Sequence, residues 1–380
     1  MAAPRRRPLK AADLQHVKQL RLVSRMLQPL HDPQAHGNRK FFMEHYVVLL
    51  LLHFFNPVLG SLRALQQATA LDSVREVLGI PRLSLSAMSV AASQVFDPAL
   101  LEPILQQVNR QIGTLPRDPR LSPVPGRLMA TDGTFLRCLP RMTWALFRRQ
   151  SRCRGVQLHL QFDVERGIPD HVQIGSAVTS EKKALRKALR AGCLYVMDRG
   201  FIEYKLFQAI HDADSFFVAR LKDNSTFEVR TDRALTPADQ TAGVLADQDV
   251  RMGSAFTEGD LTAPVRRIVL RGADGRNVLL LTNTDLPAEI IALIYRYRWQ
   301  VELFFRWFKC ILGCRHWLSE SERGLTLQVY VAILASLLVS LWTGRKPTRR
   351  TFEMIVLHLQ GWASIEEVQA HLARLQKKDR

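Results

Sequence analysis

Apolar residues recur at helical spacing from residue 10 to 113 and predict helices near 13–28, 40–54, 61–69, 72–78, 84–95 and 98–113. Short breaks at Pro57, Gly60, Gly79 to Pro81 and Pro98 separate them. Within L-D-S-V-R-E-V-L-G-I-P-R-L-S-L-S-A-M-S-V, a short helix, a Gly-containing turn and a second helix opening on Ser84 or Ser86 outline a helix-turn-helix, an outline that an ordinary bundle corner shares. The segment 114–126 carries four prolines and reads as a linker between domains.

Beyond it the period changes from helical to alternating. R-L-M-A-T-D-G-T-F-L-R-C reads as two short strand runs around Asp132-Gly133, and V-Q-L-H-L-Q-F-D-V and D-H-V-Q-I-G-S-A-V alternate about an E-R-G-I-P turn, making a meander of about three strands. A helix closed by Gly192 follows, then the buried strand C-L-Y-V-M-D ending on Asp198, a helix over E-Y-K-L-F-Q-A-I-H and the strand S-F-F-V-A-R-L. Residues 222–285 are polar and strand-prone, with Gly and Asp turns, and precede a helix from Pro287 to Lys309.

That last helix carries a polar line. At about 100° per residue, Tyr295, Arg298, Glu302 and Lys309 fall within an arc of roughly 60°. Trp299, Leu303 and Trp307 flank it on one side, and Phe305, Val301, Phe308, Tyr297 and Phe304 on the other, so most of the circumference is expected to be buried. Taken alone, the line reads as a stripe of i,i+4 ion pairs, Arg298 with Glu302 and Glu302 with Arg306.

Composition turns attention to a polyanion. The 380 residues, enough for two or three domains, carry 53 Lys and Arg against 35 Asp and Glu, a formal charge of +18. Nucleic acid is the commonest partner for such a surface. Five cysteines with no C-x-x-C pair suit free thiols in a reducing compartment, and Cys310, Cys314 and His316 lack the fourth ligand of a structural zinc site. The basic N-terminus has no apolar core segment, so a cytoplasmic protein is expected. The apolar runs Tyr46–Phe55 and Leu325–Trp342 are too short or too interrupted to be read as anything but core helices.

Asp132 and Asp198 each end an apolar run, where an open α/β sheet presents groups to its ligand crevice, although D-G and D-R-G are also ordinary turn sequences. Joined by Glu302, they would form a set of hard oxygen ligands suited to Mg²⁺ or Mn²⁺, the basis of two-metal phosphodiester chemistry. The spacing Tyr295-x2-Arg298-x3-Glu302-x6-Lys309, with A-T-D-G-T, V-M-D-R-G-F and L-L-L-T-N-T-D-L-P, resembles the Y-R-E-K signature and aspartate blocks of the insertion-sequence-four family of bacterial DDE transposases, from about 60 to 345.

The resemblance implies an α/β fold with a ribonuclease-H-like catalytic domain in two parts (127–221 and 286–345), a β-rich insertion (222–285), an all-α N-terminal DNA-binding domain (1–113) and a C-terminal helical segment (346–380). It implies Asp132, Asp198 and Glu302 as catalytic and metal-binding residues for Mg²⁺ or Mn²⁺, as two ions, and Tyr295, Arg298 and Lys309 as contacts to phosphates near the transposon end. The implied partner is double-stranded DNA, at transposon ends and target, bound by a homodimer with no membrane attachment. Relatives that form a DNA hairpin use an aromatic wedge, typically Trp, from the insertion; here only Phe227 and Phe256 are available. Trp299 is expected to fill the core. An inactive DNA-binding derivative and a nuclease of the same fold are the competing readings; the intact acids count against the first, Tyr295 and Lys309 against the second.

Overall fold

The structure, a computed structural model, describes residues 26–31, 37–56, 58–115, 118–148, 152–253, 260–272, 274–310, 313, 317–346 and 348–378. The expectations for 13–25, Phe256, Cys314 and His316 lie outside these residues. The described chain divides into two compact units. One comprises the residues up to Gln111 with Trp307–Thr343 and those from 348 onward; the other comprises Ile112–Arg306 and Gly344–Lys346.

The first unit opens with α1 (Met43–Phe55), α2 (Leu62–Ala70), α3 (Asp72–Leu78), α4 (Leu85–Val90, extended by a π turn to Val95) and α5 (Leu101–Gln111). Local signals set their ends. Ser61 Oγ accepts from Ala64 N–H at the start of α2, Gly79 closes α3 in the left-handed region at φ 65°, and Ser84 Oγ accepts from Ala87 N–H to open α4. Leu65, Ile80, Leu83 and Met88 are buried together, and Thr69 Oγ1 accepts from Leu83 N–H at 3.2 Å, fixing the corner between α2 and α4.

The proline-rich segment is docked rather than free. Leu115 N–H donates to the Glu165 carbonyl, Leu121 and Val124 are buried, and both belong to the second unit. That unit is built on β1 (Arg127–Arg137), β2 (Phe147–Arg148), β3 (Cys153–Asp163), β4 (Ile168–Ser176), α6 (Glu181–Lys187), β5 (Cys193–Met197), α7 (Tyr204–Asp212) and β6 (Phe216–Arg220). Strands β1, β3 and β4 are antiparallel neighbours; β5 lies parallel to β1 and β6 parallel to β5, giving the order β4-β3-β1-β5-β6. Helices α6 and α7 are the crossovers that parallel pairing requires.

Two expectations about local structure change. Asp132-Gly133 is no turn: β1 runs straight through it, and Gly133 pairs with His159. Helix α6 ends at Lys187, not at Gly192, because Gln161 Nε2 ties up the Ala188 carbonyl and Gly192, at φ 68°, instead turns the chain into β5.

Residues 222–285 contribute β7 (Phe227–Asp232), α8 (Pro237–Thr241), β8 (Val244–Met252), β9 (Val265–Arg271) and β10 (Asn277–Thr282). These strands extend the same sheet. β10 pairs antiparallel with β6, and β9, β8 and β7 follow outward. Aromatic and aliphatic side chains including Tyr195, Met197, Phe207, Phe217 and Leu281 form the buried layer, with Phe207 and Phe217 stacked at 4.4 Å. Phe227 packs against that layer beneath the Arg267 guanidinium, 4.3 Å from its ring centre, and so does not stand out as a wedge.

The polar line begins on α9 (Ala288–Tyr297) and continues on α10 (Trp299–Cys310). One unbroken helix was expected; instead Arg298 N–H bonds the Tyr295 carbonyl and Val301 N–H the Arg298 carbonyl, three residues back in each case, which tightens the chain at Arg298 without leaving right-handed geometry. The first unit resumes at Trp307, within α10, and continues with α11 (Glu322–Thr343), α12 (Arg349–Leu359) and α13 (Ile365–Lys378). Helix α11 is long and apolar enough to cross a membrane, but 83% of its apolar window is buried within the protein, where it packs on α1 and α5 and Tyr330 Oη donates to Glu102 at 3.0 Å.

Candidate active site

Parallel pairing of β1 with β5 runs from Arg127 opposite Cys193 to Ala130 opposite Val196, a constant offset of 66 residues. The same offset separates Asp132 from Asp198, so each follows the paired segment by two residues and the two acids sit level on adjacent strands. Each is oriented by the backbone beside it: Gly133 N–H donates to Asp132 Oδ1 at 2.8 Å, and Gly200 N–H donates to Asp198 Oδ1 at 2.7 Å.

Both glycines are there for room, not for turn geometry, since neither has a positive φ. A Cβ on Gly133 would collide with Glu181 Oε1 and stand 2.8 Å from Gln157 Nε2; one on Gly200 would stand 2.9 Å from Asp198 Oδ1 and 3.7 Å from Glu181 Oε2. Glu181, the first residue of α6, therefore lies over Gly133 and near Gly200, on the face of the sheet that Gly133 shares with Thr131. Sequence reasoning passed over it, because E-K-K-A-L-R-K has the charge pattern of any solvated helix face.

The electrostatics express this crowding. Burial first, then the charges of Glu181 and Asp198, push the Asp132 carboxyl up to about 7, against the Gly133 N–H bond and the charge of Arg298. Burial and Asp198 likewise raise Glu181. Beneath α6, a narrow cavity lined by Thr131, Asp132, His159, Gln161, His171 and Glu181 contains two buried polar atoms, Thr131 Oγ1 and His159 Nε2, with no hydrogen-bond partner. Burial moves His159 down to about 4, so it is neutral at physiological pH.

Glu302, on the first turns of α10, is held by Arg298, Nη1 to Oε1 at 2.6 Å. Arg298 is largely buried, lies 5.6 Å from the Tyr295 ring centre, and feels the charges of both Glu302 and Asp132, which connects the helix to the strand ends. Lys309 lies two helical turns beyond Glu302 on the same helix, and has partners of its own. Asp132 thus feels the charges of Asp198, Glu181 and Arg298, and Arg298 in turn holds Glu302. Among the described residues no group of three acids, histidines or cysteines is already drawn together as a metal cage. The donor set still fits a hard divalent cation, since Asp132, Asp198 and Glu302 offer oxygen ligands only.

One flank of the line differs from expectation. Trp299 is 49% exposed and Leu303 46%, whereas Val301, Phe304, Phe305, Trp307 and Phe308 are buried. Trp299 does not fill the core.

Residues 124–338 match the family model described as the transposase DDE domain. A Sinorhizobium fredii protein named as a transposase is 34% identical over 197 residues, 50% of this chain and 54% of that protein. The chain therefore spans about half the length of that relative. A Geobacillus stearothermophilus protein, named as a transposase for insertion sequence element IS5377, is 27% identical over 294 residues, 76% of this chain and 74% of that protein. The cryo-EM structure of a piggyBac transposase synaptic complex with hairpin DNA aligns with 94% of this chain and 81% of its own at a TM-score of 0.45 and 12% identity, too distant to bear on either fold or activity.

Proposed function

The chain belongs to the transposase DDE domain family, and on that premise we propose that it is the DNA transposase of a bacterial insertion sequence, binding the element's terminal inverted repeats and carrying out metal-dependent cleavage and strand transfer. The observation that carries this reading is the level placement of Asp132 and Asp198 on adjacent parallel strands inside the matched region. The order β4-β3-β1-β5-β6, three antiparallel strands followed by two parallel ones, supports a ribonuclease-H-like catalytic domain.

In this reading Asp132, Asp198 and Glu302 hold divalent cations, two ions of Mg²⁺ or Mn²⁺. Such ions, when bound, supply activation of a water or sugar hydroxyl and stabilisation of the leaving oxygen of a phosphodiester. The chain's own contribution is orientation and charge. Gly133 and Gly200 N–H groups fix the lone pairs of the two aspartates, and Arg298 neutralises Glu302. Tyr295, Arg298 and Lys309 then hold phosphates near the transposon end, the two bases as charged donors and Tyr295 through its hydroxyl. The charge of +18 suits double-stranded DNA as the partner, and joining two ends suits a homodimer working in the bacterial cytoplasm.

The test is to incubate the protein with Mg²⁺ and duplex DNA carrying the repeats that flank its reading frame. Nicks confined to the repeat boundary are expected; equal cutting of scrambled duplexes would make it a general nuclease instead.

A further inference from the structure

We infer that the hairpin joining β1 to β3 binds the phosphate backbone of the DNA just outside the element's end. The inference rests on the transposase reading above and gives it a second DNA surface, apart from Tyr295, Arg298 and Lys309. Between Asp132 and Asp163 the chain carries Arg137, Arg141, Arg148, Arg149, Arg152 and Arg154 and neither Asp nor Glu. Arg137, Arg141 and Arg152 are exposed. Strand β1 takes this charge past the acids: β5 pairs with it only as far as Ala130, whereas β1 runs on beyond Asp132 to Arg137, five residues or about 17 Å further.

The loop of this hairpin is held from within. Arg154 Nη1 donates to the Thr143 carbonyl at 2.9 Å and to the Ala145 carbonyl at 2.7 Å, Cys138 N–H donates to the Arg154 carbonyl at 3.0 Å, and Met142 and Ala145 are buried. A Cβ on Gly155 would collide with the Phe135 ring, so the glycine lets that ring close on β3, and the Arg148 guanidinium lies 5.4 Å from the ring centre. A loop fixed in this way loses little freedom on binding. Outward it presents apolar groups among bases: Leu146 is 46% and Phe147 54% exposed. Phe147 pairs with Arg154, and Asp132 with Leu160; positions 154 and 160 of β3 share a face, so Phe147 stands on the face that carries Asp132. A second copy of the chain suits this patch poorly, because like charges would meet, whereas a duplex offers opposite charge along its backbone and sugar rings to Phe147. Outside the element the base sequence differs from one insertion to the next, so contacts there must be to phosphate and sugar, the chemistry that guanidinium donors supply.

The test compares two duplexes, one ending flush with the terminal repeat and one continuing into flanking DNA. Each is bound by the unaltered protein and by a variant combining Arg137→Gln, Arg141→Gln and Arg152→Gln, with thermal melting as the fold control. In the variant, the slope of log affinity against log salt should shrink by about 3 on the flanked duplex, for three lost phosphate contacts, and stay unchanged on the flush one. An equal change on both duplexes would place the hairpin on the element's own end, and no change on either would remove it from DNA; both results overturn the inference and leave the transposase reading standing. Altered sedimentation of the variant with unaltered DNA affinity would make the face an interface between copies and overturn it as well. Unaltered protein that binds the repeats no better than a scrambled duplex would overturn the transposase reading, and the inference with it. Should the triple variant fail to fold, Arg141→Gln with Arg152→Gln replaces it: the slope should shrink by about 2 on the flanked duplex alone, and no change there contradicts the inference.

Discussion

Arg298 and Glu302 are joined at 2.6 Å one helical turn apart, and the same guanidinium supplies the positive charge that acts on Asp132. Arg298 therefore stands as the counter-charge for a carboxylate-rich centre as well as a candidate phosphate ligand. Both uses predict that Arg298→Ala is costly.

In metal-free buffer, Arg298→Ala should lower stability by about 1 to 3 kcal/mol, since it leaves a half-buried Glu302 unpaired. Added Mn²⁺ should restore part of the loss. Melting with and without Mn²⁺ measures both effects, and binding of end DNA should weaken by a similar amount. A variant as stable as the original, with normal DNA binding, would mean the ion pair is an ornament of the surface.

Gly133 offers a test of the crowded centre that does not involve DNA. Gly133→Ala brings no unfavourable φ, yet its methyl collides with Glu181 and Gln157. A loss of about 1 to 3 kcal/mol is expected from overpacking. In a Glu181→Ala background the loss should shrink, because the obstructing carboxylate is gone; urea denaturation of the four proteins gives the coupling. Equal losses in both backgrounds would place the strain elsewhere in β1.

The pH dependence follows from Asp132. Its carboxyl, ordinarily at 3.8, is raised to about 7 by burial first and neighbouring acids second. Between these values the folded protein keeps a proton that the unfolded chain has released, so the Asp132 contribution to metal-free stability should fall as pH rises from about 4 to about 7. His159 contributes with the opposite sign, since its lowered value makes stability rise between about 4 and 6.5; the difference between the unaltered protein and Asp132→Asn isolates the Asp132 part. Asp132→Asn should flatten that part of the slope. Mn²⁺ affinity should run in the opposite direction, climbing through the same window as the proton is displaced. Calorimetric melts and Mn²⁺ titrations across the window check the two signs.

Phe227 gives the fourth prediction. It packs on the core under Arg267, so Phe227→Ala should lower stability by about 1 to 3 kcal/mol through lost burial and cation–π contact. It should leave the products formed from pre-nicked end DNA unchanged on a denaturing gel. Selective loss of a hairpin product, with stability intact, would restore Phe227 as a wedge.

Much of the architecture was legible because periodicity records burial. The helix start at Ser84, the Gly79 stop and the strand that ends just before Asp198 all stand where local chemistry puts them. Two features were hidden for opposite reasons. Asp132-Gly133 reads as a turn because the dipeptide is a turn former, yet the glycine serves to clear space for Glu181, a requirement that arises from a residue 48 positions away. Trp299 reads as core because it is large and apolar, but periodicity shows only which residues share a face, not whether anything covers that face. The surroundings of Glu181 were invisible for a related reason: they depend on where β3 and β5 carry Gln157 and Asp198, not on its neighbours in sequence.

The central claim is that the acids at 132, 198 and 302 serve one metal-dependent cut at the end of an insertion sequence. The most direct measurement is Mg²⁺-dependent nicking of end DNA by the unaltered protein and by Asp132→Asn, Asp198→Asn and Glu302→Gln, each first shown to bind that DNA. The account predicts nicking by the unaltered protein, abolished by EDTA, and none by any of the three variants despite retained binding. Nicking that survives in a variant would remove that residue from the centre, and nicking that survives in all three would contradict the account.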